Sequence, residues 1–122
     1  LFSKWQKEPW IGRTKQYEAQ EELYQSLGAW EKNRTSIDYH YGQIAFGDLR
    51  MINSPNCLYT LKEKKEFIHK VMDSSMYDWI LRYLEGRNSK LFQIYAYAWK
   101  KRNTAWILFF IQIEKGKMHL FR

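Results

Sequence analysis

The chain is poor in cysteine and proline, holds almost no negative charge towards its C-terminal end, and has no long apolar run. One cysteine, Cys57, in 122 residues excludes an internal disulfide framework and suits a reducing, cytoplasmic setting. Two prolines, Pro9 and Pro55, leave long stretches free to form regular elements. No stretch approaches the roughly 20 apolar residues of a membrane span, so no membrane partner is expected. There is no phosphate-cradling glycine loop, no G-x-S-x-G turn, and no C-x-x-C or H-x-x-x-H pair. Asp38, His40, Asp48, Cys57 and His69 carry metal-capable groups, but no ligand spacing unites them, and neither a metal nor a cofactor is expected. The sequence opens on Leu1 rather than Met, the form of a processed chain or an excised domain.

What is present is aromatic and basic. Apolar residues make up 45 % and aromatics 18 %, with six Trp and nine Tyr, which is the composition of a chain that buries a core. The length fits a single domain over residues 1–122. The net charge of +7 is unevenly spread. Residues 90–122 hold Lys90, Lys100, Lys101, Arg102, Lys115, Lys117 and Arg122 against Glu114 alone, so +6 of the +7 lies there. A basic balance favours acidic partners, either nucleic acid or an acidic protein.

Along the chain, Pro9 is expected to halt a short terminal turn, and Thr14 to cap a helix over residues 15–31. That helix carries an apolar stripe of Tyr17, Leu23, Tyr24, Leu27 and Trp30. Ile37, Tyr39 and Tyr41 alternate with Asp38 and His40, a strand pattern; Gly42 and Gln43 turn the chain into a second strand over residues 44–52, with Gly47 as a bulge. Thr60 and Glu63 match a capping box that opens a helix to Met72, burying Phe67, Ile68, Val71 and Met72. A further helix from Ser75 buries Met76, Trp79, Ile80, Tyr83 and Leu84 and closes on Gly86 as a left-handed cap.

Residues 91–99 and 105–114 are filled with aromatic and β-branched side chains and contain neither Gly nor Pro, which reads as two strands. With Arg102 and Asn103 as a two-residue hairpin loop, one face collects Phe92, Ile94, Ala96, Ala98, Ile107, Phe109, Ile111 and Ile113 as core. The other collects Gln93, Tyr95, Tyr97, Trp99, Trp106, Leu108, Phe110 and Gln112. A turn at Lys115 and Gly116 adds a short third strand and places His119 beside Gln93 and Gln112. The expected fold is therefore α+β: a mainly antiparallel sheet of about five strands in the order ααββααβββ, with N-terminal and central helices packed on it and a three-stranded meander at 90–122. In element order alone this resembles the cone-shaped, nuclear-transport-factor-2-like fold, and the meander is loosely similar to that of small bacterial ribonuclease toxins of the RelE kind.

This arrangement implies a basic hairpin tip flanked by flat rings. Lys100, Lys101, Arg102, Lys115 and Lys117 would neutralise phosphates, and Trp99, Trp106, Tyr97 and Tyr95 would stack on unpaired bases. The expected function is a small nucleic-acid-binding domain, with single-stranded or structured RNA favoured over duplex DNA. A protein-interaction module, such as an inhibitor, immunity or assembly factor, would use the same Trp, Tyr and basic surface for an acidic partner. A metal-independent ribonuclease built on His119 is a third reading. The opposing structural reading is that helices cover the aromatic face and the rings are core.

Overall fold

The computed structural model describes residues 6–120, with side chains through Gln112. Among the described residues the regular structure is all helical, and there is no strand. The helices are α1 (Pro9–Ser26), α2 (Trp30–Arg50), α3 (Leu61–Met72), α4 (Met76–Gly86), α5 (Lys90–Lys100) and α6 (Thr104–Leu120), with a 3-10 turn at Met51–Asn53 after α2. The expected five-stranded sheet, its hairpin register and its terminal meander are thereby overturned, and the likeness in element order goes with them.

Pro9 starts a helix rather than stopping one. It sits in the first turn of α1, where its fixed φ suits the helix and its missing N–H deprives no carbonyl. Thr14 lies inside α1, and its hydroxyl meets that of Ser75 at 2.6 Å. The expected 15–31 helix is two helices. Gly28, at φ 68°, ends α1 in a left-handed cap: its N–H donates to the Gln25 carbonyl at 3.0 Å, and the Ala29 N–H to that of Tyr24 at 2.9 Å. Leu23 and Leu27 of the expected apolar stripe are exposed.

α2 is the longest of the described helices and packs most extensively on α4. It buries Ile37, Tyr41, Ala45, Phe46 and Leu49 at helical spacing, and Ile52 continues the series through the 3-10 turn. Both expected strands lie within this one run. Gly42 forms no turn; it marks the point where α2 crosses α4, its closest partner. Gly47 is an ordinary helical residue and no bulge.

α3 and α4 form as their sequences imply. The Glu63 N–H donates to Thr60 Oγ1 at 3.2 Å and the Thr60 N–H to Glu63 Oε1 at 2.8 Å, a complete capping box. All nine expected core residues of these two helices are buried. Gly86 closes α4 without entering the left-handed region; the chain leaves through Arg87 in an extended conformation.

One contiguous core joins α2, α3, α4, α5 and α6. Asp38 is its charged member, only 5 % exposed. Its carboxylate accepts from the Tyr17 hydroxyl of α1 at 2.7 Å and from Arg82 of α4 at 2.7 Å, with Arg34 one turn earlier at 3.9 Å. The clamp answers the desolvation of a buried carboxylate with two short bonds. Burial, and next the bond to Asp38, push the Tyr17 hydroxyl well above the ordinary tyrosine value. Beside it, Tyr17, Trp30, Tyr41 and Trp79 pack ring against ring at 4.9–5.9 Å. Arg13 grips Asp48 with two bonds of 2.8 and 3.1 Å, and that contact raises the guanidinium pKa further.

Candidate functional site

α5 and α6 are where sequence placed the site, and helical geometry regroups its residues. In α5, Phe92, Tyr95, Ala96 and Trp99 stand at i, i+3, i+4 and i+7 and turn inward. Trp99 is 0 % exposed and Tyr95 1 %. Trp99 stacks on Tyr77 with ring centres 5.7 Å apart, and its indole N–H donates to the Tyr77 carbonyl at 3.1 Å. Tyr95 packs among Phe46, Phe92 and Phe110. Neither ring can stack on a base. For these two, the structural reading of the aromatics holds.

The other face of α5 points outward. Lys90, Ile94, Tyr97 and Lys101 are all exposed and fall at i, i+4, i+7 and i+11, a single stripe along the helix. Tyr97 is 65 % exposed and Ile94 53 %. The Lys101 ammonium lies over the Tyr97 ring, 5.6 Å from its centre.

The basic tip is a helix-to-helix turn. α5 ends as α1 does, with the Arg102 N–H donating to the Trp99 carbonyl at 3.0 Å and the Asn103 N–H to that of Ala98 at 3.1 Å. Where α1 uses Gly28, this turn uses Arg102, at φ 53°. The hairpin loop expected at Arg102 and Asn103 is thus a turn between two helices. Asn103 instead caps α6, its side-chain oxygen accepting from the Trp106 N–H at 3.1 Å. Arg102 reaches the turn between α3 and α4, donating to Asp73 Oδ1 at 2.8 Å and to the Met72 carbonyl at 3.3 Å, with its guanidinium 4.9 Å from the centre of the Tyr77 ring. His69 shares the same carboxylate, 3.3 Å from Asp73 Oδ2. Lys100 pairs with Glu85 of α4 at 2.6 Å. Two of the three tip cations are therefore paired with carboxylates, one on α4 and one in the turn between α3 and α4.

α6 is apolar on both sides. Ile107, Leu108 and Ile111 are buried against the core, while Trp106 at 52 % and Phe109 at 48 % remain exposed. The Trp106 and Phe109 rings meet edge to face at 5.5 Å and, with Ala105, line a shallow cleft of about 210 Å³. Lys115, Lys117 and His119 fall on the C-terminal part of α6, outside the residues whose side chains are described.

Of the ten residues singled out from sequence, Tyr97, Lys101 and Trp106 are exposed with no carboxylate partner among the described residues. Sequence reasoning missed Lys90, Ile94 and Phe109, placing the last two on a core face. The signal was the 3–4 residue spacing of Lys90, Ile94, Tyr97 and Lys101, hidden under a two-residue reading of the same stretch. Among the described residues, no three His, Cys, Asp or Glu side chains form a metal-capable group, and no helix is long and apolar enough to cross a membrane.

Among its described residues, the chain is a set of six α-helices about one core, the last two of which leave large apolar side chains exposed on their outer faces. Comparisons with protein-family models, with curated proteins and with solved structures found no match for it.

Proposed function

We propose that the chain is a protein-interaction domain that holds a partner against the outer faces of α5 and α6. The observation that carries this reading is the half-exposed Trp106–Phe109 pair, on a helix that already supplies its other face to the core. A solvated helix carries polar residues on its outer face. Large rings left on a surface, with a cleft between them, are the usual anchors of interfaces. Tyr97 and Ile94 extend the exposed apolar area on α5. A nucleic-acid surface draws less support from the same geometry. Two of its four rings are core, and two of its tip cations are held by Asp73 and Glu85. A lone, buried cysteine supports a reducing, cytoplasmic setting for the interaction.

The test is site-directed photocrosslinking in cells. A benzophenone side chain replaces Trp106 in one variant and the exposed Glu22 of α1 in a second. Protein adducts of discrete mass from position 106, absent from position 22 and lost on adding Phe109→Ser, are expected. The same adducts from both positions, or crosslinks to nucleic acid alone from position 106, would overturn the reading.

A further inference from the structure

Resting on that reading, we infer that the α5 stripe Lys90–Ile94–Tyr97–Lys101 is the docking track for an acidic amphipathic helix of a partner protein. The track has an apolar centre and a cation at each end. Its ends are eleven residues apart, which is about 16 Å along a helix. Residues 90–112 contain no Asp or Glu at all. Of their four cations, Lys100 and Arg102 are spent on Glu85 and Asp73. Lys90 and Lys101 make no ion pair among the described residues, and they are the two that edge the track. Lys101 also rests on the Tyr97 ring, which keeps the cation beside the apolar centre instead of free in solvent.

Charge selects the occupant. A second copy of the chain laid along this stripe would face Lys90 with Lys101 in an antiparallel pairing, or each lysine with itself in a parallel one. Either way, like charges meet at both ends, which opposes self-association. Single-stranded nucleic acid would find two phosphate contacts separated by Ile94, too few for the counterion release that drives its binding. A partner helix with two apolar residues at its centre and carboxylates about three turns apart satisfies the track at every position. Its apolar residues cover Ile94 and Tyr97 at i/i+3/i+4 spacing, and its carboxylates meet the lysines.

The experiment is a selection from a displayed library of helical 20-residue peptides. Apolar residues are fixed at one i, i+3/i+4, i+7 stripe, and the flanking positions are randomised among Glu, Gln and Lys. Three chains are used in parallel: unaltered, Lys90→Glu/Lys101→Glu, and Ile94→Ser/Tyr97→Ser. All four positions are exposed, so the fold is retained, which circular dichroism checks. The unaltered chain should enrich Glu about eleven residues apart, the charge-reversed chain should enrich Lys there, and the Ser variant should enrich nothing. Charge reversal should weaken the selected acidic peptides roughly tenfold at low salt and less at high salt.

Enrichment without charge preference, no enrichment, or tighter binding of a single-stranded oligonucleotide than of any peptide would overturn the inference. The two readings fail separately. Peptides insensitive to Lys90 and Lys101 but lost in Trp106→Ser/Phe109→Ser would leave the interaction domain standing and refute the acidic-helix track. Crosslinking from position 106 that finds no protein would refute the broader reading.

Discussion

Gly42 offers a sharp test of the packing. A Cβ added there would lie 2.3 Å from the Trp79 carbonyl oxygen and 2.7 Å from Tyr83 Cβ, both on α4. Carbon atoms in contact sit at about 3.5–4.0 Å, so the two helices would have to part by about 1 Å. Neither obstacle is the free end of a side chain that can swing away. Overpacking of this kind costs about 3 kcal/mol, the upper part of its usual range. The better helix propensity of Ala over Gly returns about 1 kcal/mol. Gly42→Ala should therefore lose about 2 kcal/mol net. For a chain of 122 residues, each kcal/mol moves Tm by roughly 3–6 °C, so the melt should fall by about 6–12 °C. The control is five residues further along the same helix. A Cβ at Gly47 meets nothing within 4 Å, and Gly47→Ala should gain about 0.5–1 kcal/mol from propensity alone. Both are read by thermal and urea unfolding followed by helical circular dichroism. A Gly42→Ala chain as stable as the unaltered one would refute the α2–α4 crossing described here.

The Asp38 clamp and the Arg102 turn make further claims. Asp38→Ala should cost about 2–3 kcal/mol in urea unfolding, because the Tyr17 hydroxyl and the Arg82 guanidinium lose the acceptor they share; no loss would mean that the clamp is solvated. Folding raises the Tyr17 pKa above the ordinary tyrosine value of 10.0. Above about pH 10 the unfolded chain gives up that proton while the folded chain keeps it, so stability should fall as pH rises through this window. Tyr17→Phe should flatten that fall in urea titrations between pH 9 and 11, and an unchanged slope would refute the assignment. Arg102 holds a φ that suits glycine. Arg102→Ala loses the bond to Asp73 and keeps the strain, whereas Arg102→Gly loses the bond and relieves it. The glycine variant should be more stable by about 1 kcal/mol in the same assay, and equal stabilities would place this turn outside the left-handed region.

Local chemical signals were legible in part: Pro9 and Thr14 misplaced the start of α1, whereas the capping box placed that of α3. Thr60 and Glu63 announce α3, and the spacing from Phe67 to Leu84 names the core of α3 and α4 residue by residue. Signals that depended on choosing a period were not. Ile37, Tyr39 and Tyr41 alternate over five residues, but Ile37, Tyr41, Ala45, Leu49 and Ile52 run at helical spacing over sixteen. The longer pattern reports the burial, because tertiary packing, chiefly on α4, gives α2 most of its stability. Residues 91–99 misled for a related reason. Aromatic enrichment describes side chains that fit a half-buried surface, and a helix seam offers one as readily as a sheet does. Ala96 and Ala98, small and both buried where α5 packs on its neighbours, were the better clue. The candidate surface proposed from the structure lies in the stretch read from sequence but has other members. Sequence located the charge imbalance, yet which cations remain unpaired depends on Glu85 and Asp73, whose approach only the fold determines.

α1 is attached differently from every other helix. Pro9 is its only fully buried residue among those described; beyond the ring contacts of Trp10 and Tyr17 with the core, it reaches its neighbours through Arg13 to Asp48, Thr14 to Ser75 and Tyr17 to Asp38. With a single fully buried residue and polar bonds that water can replace, this helix is expected to open before α2 to α6, which share the apolar interior. Its backbone amides should be the first helical ones to exchange with deuterium, at a free energy well below that of global unfolding.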